Sequence, residues 1–203
     1  MNAPEKSEAV VLSEGPILET RREDVVCNCP WEGFFEGKEW LPGRAAHVFF
    51  LLVWVLLLAF FFAKVEIQIE GSAGWAANLP TWRIEQHWLL DIFWGGRPIT
   101  GYHAWVFSFM ALVFHLGIFT VGTLTARLEA RILGSLMLFW IIEDFFWFLL
   151  NPAFGIARFT PAFVPWHKHW AGPVPVDYIT FTLVGVVLLI WSFRGRNPAA
   201  AGT

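Results

Sequence analysis

Charged residues are scarce in this chain. They make up 15% of its 203 residues, whereas ordinary soluble domains contain about 25%. No stripe of lysine and arginine occurs, which excludes a nucleic-acid partner. The net charge of −3 comes largely from residues 1–44, which hold nine of the seventeen acids. The sequence therefore predicts an acidic cytoplasmic tail in front of a weakly charged remainder.

Cysteine is almost absent, with only Cys27 and Cys29 in the chain. Their spacing closes too little loop for a good disulfide, and a single pair does not complete a zinc site. The acidic tail also lacks a short apolar run followed by a cleavage site, so we expect no signal peptide. These absences predict two free thiols on the reducing side of a membrane.

Long hydrophobic runs are abundant, since 56% of the residues are hydrophobic and 18% are aromatic. Four runs approach the roughly 20 apolar residues needed to cross the hydrocarbon core of a bilayer. We predict an all-α integral membrane bundle of four transmembrane helices, at about 45–63, 103–126, 132–150 and 176–193. This four-span membrane domain covers residues 45–203, and no internal repeat is evident.

Two segments outside the spans carry amphipathic patterns. Residues 30–44 interleave tryptophan and phenylalanine with charges and glycines, which is typical of a segment lying on a membrane surface or docking on a partner. In the first outer connection, Thr81 suits a helix N-cap, and residues 82–92 predict a short interfacial helix. The basic residues near the span ends favour both termini in the cytoplasm.

Two adjacent carboxylates, Glu143 and Asp144, lie inside the third span. Ionisable groups in a membrane helix are costly, usually face a bundle interior, and suggest that the protein handles an ion, a proton or a ligand. At 100° per residue these acids share one face with Trp140, Trp147 and Asn151. The third span is therefore amphipathic, with its polar side chains grouped on one face of the helix.

Histidines supply candidate partners for this face. His115 lies 12 residues before Arg127, and Glu143 lies 12 residues after Arg131, so a turn at 127–131 places both at similar depth. His103 falls off the face of small residues on the second span, so we leave it out of the site. In the proline-rich connection 152–175, an extended His167-x-His169 places both imidazoles on one side. The predicted metal ligands are His115, Glu143, Asp144, His167 and His169, supported by Asn151, Asp177 and Tyr178.

Carboxylate and imidazole ligands suit a transition metal ion such as iron, zinc, manganese or copper, although the Glu-x-x-His motif of di-iron bundles is missing. A proton relay is a second use of the same residues, because a buried Glu beside an Asp resists double ionisation. A haem or chlorin held by His115 is a third. The same acids would also serve packing if they only hydrogen-bonded to neighbouring helices.

The sequence thus predicts a multi-pass membrane protein with an acid and histidine site near the outer side, which binds a metal ion or handles protons. The alternative is a non-catalytic accessory subunit of a larger membrane complex, docking protein, lipid or pigment through its aromatic surfaces. The expected partners are the lipid bilayer and other membrane subunits or a second copy of the chain.

Overall fold

The computed structural model describes residues 43–93, 95–122 and 124–194. The acidic tail, the cysteine pair and nearly all of the aromatic segment 30–44 lie outside the described residues. The described chain is mostly helical, with helices α1 (Arg44–Glu70), α2 (Trp88–Phe93), α3 (Gly101–Val121), α4 (Ala126–Leu150) and α5 (Val176–Phe193). A short 3₁₀ helix spans Ile156–Arg158.

Four of these helices, α1, α3, α4 and α5, are long and apolar enough to cross a membrane. Their most apolar 18-residue windows have mean hydropathies between 1.6 and 2.7. The prediction of four such helices is confirmed for the described residues. Their ends differ from the predicted spans, because α1 continues seven residues past position 63 and α4 starts six residues before position 132.

Glycine conformations and capping hydrogen bonds, rather than the limits of the apolar runs, determine where these helices begin and end. Gly71 and Gly122 have φ of 68° and 71°, which glycine adopts readily, and they terminate α1 and α3. The side chain of Thr125 accepts a hydrogen bond from the Leu128 N–H and starts α4. The connection between α3 and α4 therefore lies between Val121 and Ala126, before the basic residues that were expected to form the turn.

The connection between α1 and α3 is folded differently from the prediction. Strand β1 (Arg83–Ile84) pairs antiparallel with strand β2 (Ile99–Thr100), and the helix between them is only the six-residue α2. A helix starting at Thr81 was wrong, because the Thr81 hydroxyl oxygen accepts a hydrogen bond from the Tyr102 N–H at the start of α3. The expected N-cap instead fixes this connection to the next long helix.

The connection between α4 and α5 contains a second two-stranded pairing, of β3 (Trp170–Ala171) with β4 (Val174–Pro175). It lies at the same end of the bundle as the first connection, since the Asn151 amide donates a 2.8 Å hydrogen bond to the Gly71 carbonyl oxygen. We call this end, with residues 71–100 and 151–175, the long-loop end.

Helix α4 is the centre of the bundle and packs closely against α1 and α5 but only lightly against α3. Gly134 and Gly185 let α4 and α5 approach closely, because a Cβ built on Gly134 would lie 2.8 Å from the Gly185 carbonyl oxygen. Only 11% of the apolar window of α3 is buried, compared with 44% for α4. One side of α3 is therefore the most loosely enclosed wall of the bundle.

Candidate functional site

Three ionisable side chains meet where α1 ends and α3 begins. Glu66 and Glu70 are one helical turn apart, so they share a face of α1. His103 of α3 faces them, and one ligand atom from each of the three side chains lies within 4.8 Å of the other two. All three residues are buried. The bundle thus holds a cluster of potential metal ligands at its long-loop end.

Both glutamates are held by hydrogen bonds from outside the cluster. The Tyr102 hydroxyl donates to Glu66 Oε1 at 3.1 Å, and the Ala76 N–H donates to Glu70 Oε1 at 2.5 Å. Ala76 is fully buried with a φ of 51°, and the Arg83 guanidinium donates to its carbonyl oxygen. A strained turn therefore presents a backbone donor to a buried carboxylate.

The His103 ring is fixed on two sides. Its Nδ1 lies 2.7 Å from Thr100 Oγ1, and its Nε2 lies 3.9 Å from Glu70 Oε1. The ring stacks on Trp75, with 4.0 Å between the ring centroids. When Nδ1 donates its proton to Thr100, Nε2 presents a lone pair towards the glutamates. A hydrogen bond of this kind is what orients metal-binding histidines in proteins.

A third glutamate, Glu143 of α4, lines the same cavity as the cluster. It is only 2% exposed, and its carboxyl group interacts electrostatically with that of Glu66. Within the described part of the chain, its buried Oε1 has no hydrogen-bond partner. Two neighbouring buried carboxyl groups repel each other when both are ionised, and a proton or a cation relieves that repulsion. The cluster therefore calls for a shared positive charge.

Asp144, the next residue of α4, belongs to a second polar network. Its Oδ2 accepts a 2.6 Å hydrogen bond from the Tyr178 hydroxyl and lies 3.1 Å from His167 Nε2. His167 Nδ1 lies 3.1 and 3.3 Å from the two carboxylate oxygens of Asp177. Asp177 also forms an ion pair with Arg97. A continuous chain of polar contacts thus joins Tyr178 to Arg97.

The electrostatics of this network centre on His167, which is 3% exposed. Burial lowers the pKa of His167, and the hydrogen bond to Asp144 opposes that effect. Burial likewise lowers the pKa of Arg97, which the charge of Asp144 opposes. The ring nitrogens of His167 face carboxylate oxygens of Asp144 and Asp177. Each of these two contacts needs one proton to be a hydrogen bond, so both are hydrogen bonds only when the three side chains together hold two protons.

The cluster and the network line one cavity of about 330 Å³. Its polar wall includes Glu66, Glu70, Arg97, His103, Glu143, Asp144, Asp177 and Tyr178. The cavity continues between apolar side chains, namely Phe107, Ala111, Leu136, Trp140, Ile141 and Phe181. A small molecule bound there would contact acids, an imidazole and a hydrocarbon surface together.

Several predicted site residues do meet here. Glu143, Asp144, Asp177 and Tyr178 line the cavity, and His167 bonds to two of them. Whether these residues bind a metal stays a prediction.

The other two residues of that region lie apart from the cavity. Asn151 ties the two connections together, and its Oδ1 accepts a hydrogen bond from the Ala153 N–H. His169 is exposed, whereas His167 is buried. The expected pairing of His167 with His169 on one side was wrong, because one imidazole is buried beside the acids and the other is exposed.

His115 does not meet Glu143. Its Nε2 lies 3.1 Å from Glu129 Oε1, and its Nδ1 lies 2.6 Å from the Ala111 carbonyl oxygen. The expectation of equal depth was wrong because the turn between the helices comes earlier, between Val121 and Ala126. Counted from that turn, His115 is level with the first turns of α4, and His103 is level with Glu143.

Sequence reasoning missed Glu66, Glu70 and His103. The two glutamates were assigned to a connection because the apolar run stops at Lys64, although their four-residue spacing continues the helical face of α1. His103 was set aside because small residues were taken to mark the inner face of α3. His103 and Met110 of α3 are buried. Only some of the small residues share their side, since Ala111 lines the cavity whereas Ser108 is exposed.

The chain matches no protein-family model, no curated protein and no solved structure. No relative's activity can therefore be transferred to it. Its function has to be argued from the geometry and chemistry of the residues around the cavity.

Proposed function

We propose that this is an integral membrane protein that binds one divalent transition-metal ion at Glu66, Glu70 and His103. Helices α1, α3, α4 and α5 span the bilayer, with both termini in the cytoplasm and the long-loop end outside. Their length and hydropathy support insertion, and the basic residues near the span ends support this orientation. The metal then lies near the outer boundary of the membrane.

The observation that carries the metal assignment is the convergence of three buried ligand atoms within 4.8 Å of one another. Two ligands that each lie about 2.1 Å from a metal are at most about 4.2 Å apart. The 3.9 Å between His103 Nε2 and Glu70 Oε1 falls within that limit, and a separation of up to 4.8 Å elsewhere in the cluster would close by a small side-chain movement when the metal binds. Glu143 lies outside this group of three, but it lines the same cavity, and its Oε1 has no hydrogen-bond partner among the described residues.

The donor set restricts the metal. Two glutamates and one imidazole offer mainly hard oxygen atoms, which favours manganese, iron(II) or zinc over copper. The ion also supplies the positive charge that neighbouring carboxylates need at low dielectric. A metal with an open position beside the cavity would polarise a bound oxygen atom or a water molecule.

Metal analysis of matched variants tests this proposal. The chain offers a second acid and histidine pair, His115 with Glu129, in the half of the bundle away from the long-loop end. Protein purified from membranes without chelator should contain one metal per chain. His103→Ala and Glu70→Gln should lose it, whereas His115→Ala and Glu129→Gln should keep it.

Two results count against a metal site. One is a folded wild-type protein that is metal-free and takes up none of Mn²⁺, Fe²⁺ or Zn²⁺. The other is equal metal content in the site variants and their controls. A metal-free chain that purifies in fixed ratio with other membrane subunits would favour the accessory-subunit function.

A second function, proton transfer at the metal, is supported by the contacts of His167. Both of its ring nitrogens face carboxylates, and its partner Asp144 follows Glu143 on α4. We propose that this network accepts a proton that Mn²⁺ displaces from the glutamates, since metal ligands must be deprotonated. Titration calorimetry in buffers of different ionisation enthalpy counts the protons released.

Asp144→Asn should change that count while the metal still binds. Glu129→Gln is the control, because it removes an acid that lies outside the network. An unchanged proton count in Asp144→Asn would contradict the relay without touching the metal site.

A further inference from the structure

The cavity has two unlike parts. Its polar part contains the metal cluster, and its apolar part, which we call the arm, is lined by Phe107, Ala111, Leu136, Trp140, Ile141 and Phe181. Phe107 and Ala111 lie one and two turns beyond His103 on α3, and Trp140 and Leu136 lie one and two turns before Glu143 on α4. At a rise of 1.5 Å per residue, the arm extends about 12 Å into the bundle.

The arm lies beside the least enclosed wall of the bundle. Helix α3 packs only lightly on α4, and residues next to its arm-lining positions, such as Leu112, are 73% exposed. In the proposed orientation this wall faces lipid at the depth of the hydrocarbon core. A molecule dissolved in the bilayer would therefore reach the arm without crossing water.

The polar part restricts the chemistry of a ligand's head group. Five carboxyl groups line it, on Glu66, Glu70, Glu143, Asp144 and Asp177. Arg97, a cation in the same wall, forms an ion pair with Asp177. Even with a divalent metal and Arg97 in place, the five carboxyl groups of this wall outnumber the positive charges, so a carboxylate or phosphate head would still meet mainly like charge, which is costly at low dielectric. An uncharged hydroxyl oxygen can instead donate to a carboxylate or approach a metal.

From these observations we propose that the cavity binds a long-chain alcohol, with its hydrocarbon tail in the arm and its hydroxyl group at the metal cluster. The head-group assignment rests on the proposed metal site. The tail assignment rests on the shape and lining of the arm alone. The protein would thus act on, or sense, an uncharged amphiphile drawn from the membrane.

Photolabelling in lipid nanodiscs tests the proposal with a long-chain alcohol that carries a diazirine near the end of its tail. Mass spectrometry should find label on Phe107, Trp140 or Phe181 that excess unlabelled alcohol removes. Label on lipid-facing residues, such as Leu112, should persist and serves as the internal reference. Labels confined to lipid-facing residues would overturn the proposal, as would arm labels that a fatty acid removes equally well at neutral pH.

A neighbouring pair of variants provides the matched control. Ala111→Trp should fill the arm and abolish the competable label, whereas Leu112→Trp adds the same side chain on the lipid-facing side and should keep it. Unchanged metal content in both variants shows that the bundle is intact. Competable label that survives in Ala111→Trp would contradict the assigned path of the tail.

Failure of this inference can be told apart from failure of the metal site. Bound metal without competable label in the wild type would refute the alcohol and leave the metal site in place. Competable label in a wild type without metal would refute the metal site and confirm the arm. His103→Ala should retain label in the arm but bind the alcohol more weakly, and equal affinity would contradict contact between hydroxyl group and metal.

Discussion

Thr100→Val tests the geometry of the metal site without removing a ligand. Thr100 is fully buried, and its Oγ1 lies 2.7 Å from His103 Nδ1. Valine keeps the shape of the side chain and removes that oxygen. Losing the hydrogen bond that orients a metal-binding histidine lowers metal affinity about 10- to 100-fold. This corresponds to about 1.4 to 2.7 kcal/mol, and competition with a fluorescent chelator for Zn²⁺ or Mn²⁺ measures it.

Thr100 is also the N-cap of α3, because its Oγ1 accepts a hydrogen bond from the His103 N–H. Loss of a cap costs about 1 kcal/mol of stability by itself. Thr125→Val removes the equivalent cap of α4 and should lower stability similarly while leaving metal affinity unchanged. Thr100→Ser keeps the oxygen and should restore affinity. Equal affinities for Thr100→Val and Thr125→Val would refute the role given to His103.

Three further results are expected. Metal at 100 times its Kd should raise the free energy of unfolding in detergent by about 2.7 kcal/mol, and a gain of the same size in Glu70→Gln would show that the metal binds elsewhere. Gly134→Val forces a Cβ to within 2.8 Å of the Gly185 carbonyl oxygen, so it should lower the free energy of unfolding by about 1 to 3 kcal/mol in a denaturation assay. Gly117→Val is the control, because a Cβ at Gly117 meets nothing within 4 Å. Equal losses of stability in the two variants would contradict the close contact between α4 and α5. Asn151→Leu removes a 2.8 Å hydrogen bond to the turn after α1, so it should cost about 1 to 3 kcal/mol and weaken metal binding measured by chelator competition; unchanged values of both would contradict its positioning role.

The apolar helices could be predicted from the sequence because hydrophobic runs are read directly from it. Helix α5 spans 176–193, the range predicted, because a proline precedes its apolar run and an arginine ends it. Helix α1 outlasts its apolar run, since Lys64 does not break a helix and Gly71 does. Hydropathy therefore identified the helices, whereas capping residues determined where they end.

The candidate site could be predicted only in part, for a related reason. Glu143 and Asp144 could be predicted because a carboxylate within an apolar run can be recognised from the sequence alone. Their partners depend on the depth of residues on other helices, and that depth depends on the position of each turn. Because the turn between α3 and α4 comes a few residues earlier than predicted, His103 lies at the depth of Glu143, and His115 lies near Glu129 instead. The strained turn after α1, which presents a backbone N–H to Glu70, has no comparable pattern in the sequence.

X-ray absorption at the metal edge of the purified wild-type protein tests the metal site most directly. The expected spectrum has only nitrogen and oxygen neighbours at about 2.0 to 2.2 Å, together with outer-shell scattering from a single imidazole. That imidazole signal should disappear in His103→Ala and persist in His115→Ala. Sulfur neighbours at about 2.3 Å would instead place the metal on Cys27 and Cys29. That result, or the absence of any bound metal, would contradict a site built from Glu66, Glu70 and His103.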